Sequence, residues 1–254
     1  MSNLAGRAIE RVTRVLPPTV AARIDQLRPT LAKGFGPFNG QESRQAVLGS
    51  LLQSYPFDLV IETGTYRGTT TERLRTLTSA PIVTIEVSRR YYEYARKRLS
   101  GLADTRTIHG DSAGEIRRLA ALPAHDRQAN VFAYLDAHWA ARLPARWEIL
   151  ELLSGWDSVC IVIDDFKVPT DPGYGYDDYG PGQVLDLAFL SGLPLEGVSV
   201  FFPRLPAAQE TGHRRGWVVL GRGPELVDHL LRTDGLVLAD QWGGAGVSST
   251  AESD

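Results

Sequence analysis

The alternation of short apolar runs with longer segments of helical period constrains the fold of this chain more than any other feature. Seven apolar runs predict strands at residues 59–61, 82–87, 106–109, 131–135, 159–163, 198–202 and 217–220. Helical segments separate the first five runs, at residues 69–77, 89–99, 112–122 and 140–153. Strand, helix and strand in succession make right-handed crossovers, which build a parallel sheet with helices on both faces. Residues 203–216 lack a clear helical pattern, so the last two strands can pair antiparallel.

Composition divides the chain into an arm, one α/β domain and a tail. Residues 1–40 carry many arginines and are broken by Pro17 and Pro18, which predicts an N-terminal arm of two short helices. We interpret this arm as solvated or as a contact between subunits, so a homodimer is one expectation. Residues 41–240 are the predicted α/β domain. Residues 241–254 are small and polar, which predicts a disordered tail.

Charge and composition argue against several classes of function. A net charge of −3 and no dense stripe of lysine and arginine predict that nucleic acid is not a partner. No run approaches the roughly 18 apolar residues that cross a bilayer, and no secretory signal is visible, so a cytoplasmic protein without a membrane partner is expected. Cys160 is the only cysteine, which excludes an intrachain disulfide and a zinc site built from several cysteines.

An acidic, glycine-containing loop follows the first predicted strand. It reads E-x-G-x-x-x-G, with Glu62, Gly64 and Gly68 at the fixed positions, Tyr66 between the glycines and Thr69 at the start of the next helix. Glycine permits close approach of a ligand to the backbone in such a turn. A dinucleotide-binding turn instead reads G-x-G-x-x-G and holds a pyrophosphate. Because Glu62 would repel a pyrophosphate but pair with an ammonium group, the loop favours a cationic ligand over a nicotinamide cofactor.

Two further polar positions stand where the second and third predicted strands end. Glu86 lies about 20 residues beyond the loop, where a carboxylate can accept hydrogen bonds from both hydroxyls of a ribose. Asp111 and Ser112 follow the third strand, where Asp111 can accept a hydrogen bond from an adenine amino group. Ligands of open α/β sheets bind at these carboxyl ends. Loop, Glu86 and Asp111 together therefore predict a nucleoside-containing ligand.

These residues resemble the motifs of the class I S-adenosylmethionine-dependent methyltransferases, from about Phe57 to Gly221. The resemblance implies an α/β, Rossmann-like fold whose seven-stranded sheet is mostly parallel, with the last strand antiparallel and helices on both faces. Residues 41–240 are then the methyltransferase domain. It also implies S-adenosyl-L-methionine as cofactor, bound by Glu62, Gly64, Tyr66, Gly68, Thr69, Glu86, Asp111, Ser112 and Asp136.

Acidic side chains end the fourth and fifth predicted strands, which are neighbours in the family's sheet. Asp136 follows the fourth strand, and Asp164 and Asp165 end the fifth. Neighbouring strands lie about 4.8 Å apart, so these carboxylates can converge. A divalent cation would relieve their repulsion, and oxygen ligands without a thiolate favour Mg²⁺. Asp136, Asp164 and Asp165 are therefore the predicted metal ligands, although each can instead cap a helix or a turn.

The acid cluster resembles that of metal-dependent O-methyltransferases, including the catechol type and the sugar-modifying macrocin and methylmannose polysaccharide types. The catechol enzymes carry a lysine base shortly after the first metal ligand, whereas this chain has His138 in that neighbourhood. His138 is accordingly the predicted general base, and Asp136 the catalytic ligand that holds the cation against the acceptor. The alternative is that His138 is a hydrogen-bonded residue at a strand end.

The predicted acceptor is a small molecule or oligosaccharide with a carbohydrate hydroxyl. Residues 167–182 form a long loop after the fifth strand, and its aromatic and acidic side chains suit a saccharide, as do those of a nearby tryptophan: Tyr174, Tyr176, Tyr179, Asp171, Asp177, Asp178 and Trp139. A packed loop without a ligand is the structural alternative. A catechol-like phenol, metal-independent transfer to nitrogen and a non-catalytic cofactor-binding scaffold are the alternative functions.

Overall fold

The computed structural model describes residues 16–27, 36–138 and 143–239. These residues form one eight-stranded sheet of β1 (Leu59–Thr63), β2 (Ile82–Glu86), β3 (Thr105–His109), β4 (Asn130–Leu135), β5 (Ser158–Asp164), β6 (Val198–Pro203), β7 (Trp217–Arg222) and β8 (Leu236–Leu238). The order is β3-β2-β1-β4-β5-β7-β6-β8, parallel through β5 and antiparallel beyond it. The predicted fold class is confirmed, with one more strand than the seven predicted, because the three-residue β8 pairs with β6.

Helices cover both faces of this sheet. They are α1 (Pro18–Leu27), α2 (Glu42–Ser54), α3 (Thr69–Leu77), α4 (Arg89–Arg98), α5 (Ser112–Ala120), α6 (Ala145–Gly155), α7 (Leu187–Leu190) and α8 (Pro224–Arg232), with 3-10 turns at Pro37–Gly40 and Ala207–Gln209. In the described ranges no helix is both long enough and apolar enough to cross a bilayer.

Strand periodicity divides the interior into two cores. In β5, Val159, Ile161 and Ile163 pack toward α5 and α6, whereas Cys160 and Val162 pack toward α2, α3 and α8. Successive side chains of a strand point to opposite faces, so a strand covered on both sides is apolar throughout. Cys160 is therefore a buried strand residue, and burial raises the pKa of its thiol far above its ordinary value.

Residues 37–40, the end of the segment predicted as an arm, pack against the core next to α2. Phe38 of the first 3-10 turn is buried, with its ring 5.2 Å from that of Tyr134 in β4. Its neighbour Asn39 donates to Asp164 of β5. Burial of Phe38 holds residues 37–40 on the sheet, although the sequence placed them in the arm. The predicted tail at 241–254 lies outside the described residues.

Candidate active site

A cavity of about 410 Å³ opens at the carboxyl ends of the parallel strands. Six of the nine predicted cofactor residues line it: Gly64, Tyr66, Glu86, Asp111, Ser112 and Asp136. Tyr91, in the first turn of α4, also lines it, and the sequence reasoning missed this residue. Its signal is an aromatic side chain in the helix that follows Glu86, since that helix begins at the ribose end of the predicted site.

Glycine is required at Gly64 by the protein itself. Gly64 has φ of 80°, and a Cβ there would lie 2.1 Å from the carbonyl oxygen of Asp136. The glycine thus lets the loop after β1 pass directly against the end of β4, where the backbone N–H of Asp136 donates to the carbonyl of Thr63. The close approach that the sequence assigned to a ligand is made in the structure by the backbone of Asp136.

Three predicted cofactor residues support the loop without lining the cavity. Glu62 is only 1% exposed, and its Oε2 accepts hydrogen bonds from the hydroxyls of Thr71 in α3 (2.5 Å) and Thr84 in β2 (2.6 Å). Burial raises the pKa of Glu62 to about 7. Gly68 has φ of 75° and precedes α3, and the hydroxyl of Thr69 accepts a hydrogen bond from Arg98. These residues fix the start of α3 behind the loop.

The acid at the end of β2 is tied into the cavity wall. One oxygen of Glu86 accepts from the backbone N–H of Tyr66 and the other from that of Ser88, both at 2.7 Å. A carboxylate oxygen can accept more than one hydrogen bond, so both oxygens retain capacity for ribose hydroxyls. Burial raises the pKa of Glu86 despite these bonds. Glu86 is therefore a partly pre-organised acceptor.

Asp111 combines a helix cap with a place in the cavity wall. Its carboxylate accepts from the backbone N–H of Gly114 at 3.2 Å, which caps the amino end of α5. Ser112, the first residue of that helix, is buried beside it and also lines the cavity. Asp111 therefore both caps α5 and lines the cavity.

A cluster of two acids and one histidine stands at the edge of the cavity, after β4 and β5. The Nε2 atom of His138 lies 3.8 Å from Oδ1 of Asp136 and 3.6 Å from Oδ2 of Asp165. One ligand atom from each of these residues falls within 4.8 Å of the others, a spacing that can hold a metal ion. The imidazole is 1% exposed, and its Nε2 has no hydrogen-bond partner among the described residues. A buried ring nitrogen without a hydrogen-bond partner is available to interact with a cation or with a polar group of a substrate.

The structure places Asp164, one of the three predicted metal ligands, outside this cluster. Its carboxylate is 1% exposed and pairs with Arg44 of α2 at 2.6 Å, and it accepts a hydrogen bond of 2.6 Å from the hydroxyl of Tyr134. The strand turns Asp164 toward α2, whereas Asp165, beyond the strand, faces His138. The sequence reasoning missed Arg44. Helical spacing could have predicted that Arg44 is buried, because it lies three and four positions before Val47 and Leu48 and so on the same apolar face of α2.

Charge in the cluster is balanced by basic groups. Arg215, which the sequence reasoning also missed, pairs with Asp165 and with Asp177 of the long loop. Burial would raise the pKa of Asp165, but His138 and Arg215 outweigh it and lower this pKa to about 2. Burial likewise would lower the pKa of His138, but Asp165 and Asp136 raise it to about 9. The neighbouring carboxylates thus favour the protonated imidazole at neutral pH.

Only part of the long loop reaches the cluster. The Oδ2 atom of Asp177 lies 3.9 Å from Nε2 of His138, and the hydroxyl of Tyr179 donates to Asp177. Tyr174 is instead buried, with its hydroxyl bonded to the carbonyl of Leu205. The other predicted acceptor residues are placed as follows: Asp171 bonds the backbone of Gly173 and Ala207, Asp178 bonds that of Gly180, Tyr176 lies under Lys167, and Trp139 is outside the described residues.

Comparisons with known proteins show the fold. No protein-family model and no curated protein sequence matches this chain. A solved structure of the O-methyltransferase from Bacillus cereus, in complex with S-adenosylhomocysteine, is 16% identical, has a TM-score of 0.54 and covers 85% of this chain and 97% of its own. A protein of Staphylococcus aureus assigned as a caffeoyl-CoA O-methyltransferase is 13% identical, has a TM-score of 0.52 and covers 87% of this chain and 100% of its own. The chain has the Rossmann-like α/β fold that these two structures share.

Proposed function

We propose that the chain is an S-adenosylmethionine-dependent O-methyltransferase that uses a divalent cation. The observation that carries this proposal is the position of Asp136, which lines the cavity and also belongs to the acid and histidine cluster. A methyl donor in the cavity would therefore lie beside a cation-bound acceptor. The structural likeness to a protein that binds S-adenosylhomocysteine supports the same placement of the cofactor.

The cavity residues fit this cofactor. Glu86 would accept the ribose hydroxyls, and Asp111 with Ser112 would face the adenine. Glu62 is buried behind the loop and outside the cavity lining, so it would support the loop instead of making a direct ionic contact with the cofactor. S-adenosylmethionine supplies an electrophilic methyl group on a sulfonium. The task left to the protein would be to align the acceptor oxygen with that methyl and to exclude water from the site.

The cluster residues fit a divalent cation, for which we propose Mg²⁺. Asp136 and Asp165 would offer hard oxygen ligands, whereas Nε2 of His138, 3.6 Å from Asp165 and 3.8 Å from Asp136, would stay unligated and act as the base. When bound, the cation lowers the pKa of an acceptor hydroxyl. His138 lies within reach of that proton and would accept it as the general base, since the cation removes the field of the carboxylates that otherwise keeps the ring protonated. With the cofactor bound, Asp136 would hold the acceptor oxygen beside the cavity, and the methyl group would pass to that oxygen while the bonding electron pair stays on the sulfur.

The acceptor we propose is a saccharide hydroxyl. Tyr179 and Asp177 stand beside the cluster, where an aromatic ring and a carboxylate can bind a sugar face and its hydroxyls. A catechol-like phenol is the second candidate, because two neighbouring phenolic oxygens would chelate the same cation. Both candidates present a pair of adjacent oxygens, so the cluster itself favours neither.

Labelled S-adenosylmethionine tests the proposal directly. The unmodified chain is incubated with mannosides, glucosides and catechols, with Mg²⁺ and then with a chelator. We expect label in a saccharide, its loss with the chelator and its return on adding Mg²⁺. Transfer to catechol alone would contradict the saccharide assignment, and transfer that persists in chelator would contradict the cation. Absence of both transfer and S-adenosylhomocysteine binding would overturn the proposal as a whole.

A further inference from the structure

One buried carboxylate outside the cavity joins three separate elements around it. Asp25 of α1 is 7% exposed, and its two oxygens accept hydrogen bonds from Arg90 of α4, with Nε at 2.7 Å and Nη2 at 2.8 Å. The guanidinium of Arg67, in the loop after β1, approaches the same carboxylate at 3.9 Å. A two-pronged arginine–carboxylate pair fixes orientation as well as distance. Asp25 thus connects α1 both to the loop after β1 and to α4.

Each of these arginines is adjacent in sequence to an aromatic residue of the cavity. Arg67 follows Tyr66 and lies over its ring at 5.2 Å, and Arg90 precedes Tyr91 and lies over its ring at 5.4 Å. The two tyrosine rings are 4.4 Å apart, and both line the cavity. They form the tyrosine wall, defined here as Tyr66 and Tyr91. The position of this wall therefore depends on two cations that share one carboxylate.

The backbone of the tyrosine wall needs such support. Tyr66 has φ of 47°, a left-handed conformation that a bulky residue rarely adopts. Its N–H is held by Glu86 on one side, and the next residue, Arg67, is held toward Asp25 on the other. The Nε and Nη1 atoms of Arg67 are buried and find no hydrogen-bond partner in the part of the chain that the structure describes. Asp25 is thus the acid that compensates this buried cation.

We infer, on the basis of the proposed function, that Asp25 is a positioning residue for the cofactor: by holding Arg67 and Arg90 it sets the tyrosine wall against the bound S-adenosyl group. Helix α1 belongs to the cofactor site even though Asp25 itself does not line the cavity. Binding of the cofactor and docking of α1 are then coupled, and each strengthens the other by the same factor.

Calorimetry with S-adenosylhomocysteine on the full chain tests this role. We expect Asp25→Asn to raise Kd by about tenfold, which corresponds to the loss of one charge-assisted contact. Asp157→Asn is the control, because Asp157 also pairs with an arginine, Arg127 at 2.8 Å. Asp157 directly precedes β5 and so lies at the amino ends of the parallel strands, away from the cavity. The Kd of Asp157→Asn should match that of the unmodified chain. Equal affinity of Asp25→Asn and the unmodified chain would overturn the inference.

A second variant and a second readout separate positioning from a general loss of structure. Arg90→Gln removes one partner, and the double variant should bind no more weakly than Asp25→Asn alone if Asp25 acts through its arginines. Fully additive losses would contradict that route. S-adenosylhomocysteine should also slow hydrogen exchange in α1 of the unmodified chain but not of Asp25→Asn. If the rate of hydrogen exchange in α1 does not change when S-adenosylhomocysteine is added, the coupling is wrong. If the unmodified chain does not bind S-adenosylhomocysteine at all, the proposed function is wrong as well.

Discussion

Asp164 and Asp165 are adjacent acids with different surroundings. Asp164 compensates the buried charge of Arg44, while Asp165 faces His138 and the cavity edge. Asp165→Asn should weaken binding of Mg²⁺ or Mn²⁺ measured by calorimetry, and it should lower the free energy of unfolding less than Asp164→Asn does, because Asp165 is the more exposed of the two acids. Asp164→Asn should instead lower the free energy of unfolding in urea by roughly 3–5 kcal/mol, because it leaves a buried guanidinium without its anion. Equal effects of the two variants on both measurements would contradict the division of roles.

The buried carboxylate of Glu62 predicts a pH dependence of stability. Burial raises its pKa from an ordinary 4.5 to about 7 in the folded chain. Between these values the unfolded chain releases the proton and the folded chain keeps it, so stability falls as the pH rises from about 4.5 to 7 and remains lower above. The shift corresponds to ~3 kcal/mol.

Glu62→Gln isolates this contribution, since an amide can still accept from Thr71 and Thr84. The difference in unfolding free energy between the variant and the unmodified chain should grow across this pH window and then level off. A difference that does not vary with pH would show that Glu62 titrates normally.

The sequence predicted which residues stand at the carboxyl ends of the strands, but not which partners their side chains contact. The order of Gly64, Glu86, Asp111 and Asp136 predicted one site, because parallel strands bring their carboxyl ends to one edge. It could not predict that Asp164 turns to a distant arginine. That outcome depends on Arg44, 120 positions away, and such a long-range pair leaves no local pattern.

At the scale of elements, periodicity predicted the parallel half of the sheet and missed short pieces. The central strands β4 and β5 carry continuous apolar runs because both faces are covered. In contrast, β8 has three residues and the turn at Pro37–Gly40 has four, too few to show a period. The turn is held by burial of Phe38, which is a property of the assembled core.

The contact between the loop after β1 and the end of β4 predicts a joint effect on two ligands. Gly64→Ala would place a methyl group 2.1 Å from the carbonyl of Asp136 and would strain φ of 80°, so the two elements must separate. Calorimetry should show weaker binding of both S-adenosylhomocysteine and the divalent cation, since Asp136 serves both sites. Gly101→Ala is the control, because a Cβ there meets nothing within 4 Å. Weaker binding of only one of the two ligands would contradict the idea that Asp136 takes part in both sites.

At the scale of the whole molecule, the two cores cover the two faces of one sheet, and the cavity and the acid and histidine cluster lie side by side at the carboxyl ends of its parallel strands. The side chain of Asp136 is 39% exposed there, and partial burial with the negative charge of Asp164 raises its pKa above the ordinary range. It is the one predicted residue found both in the cavity lining and in the metal group of the described chain. A ligand in either site would fix the side chain of Asp136, so the second ligand would bind with a smaller entropy cost for ordering it.

Cofactor and cation should therefore bind cooperatively. We expect S-adenosylhomocysteine to tighten the binding of Mn²⁺ by about fivefold or more, and Mn²⁺ to tighten that of S-adenosylhomocysteine by the same factor, since linkage is reciprocal. Titration calorimetry of each ligand with and without the other measures both factors, and their equality is an internal check. In Asp136→Asn the coupling should fall toward unity, whereas in Asp157→Asn it should persist. Two ligands that bind independently in the unmodified chain would show that Asp136 does not join the sites.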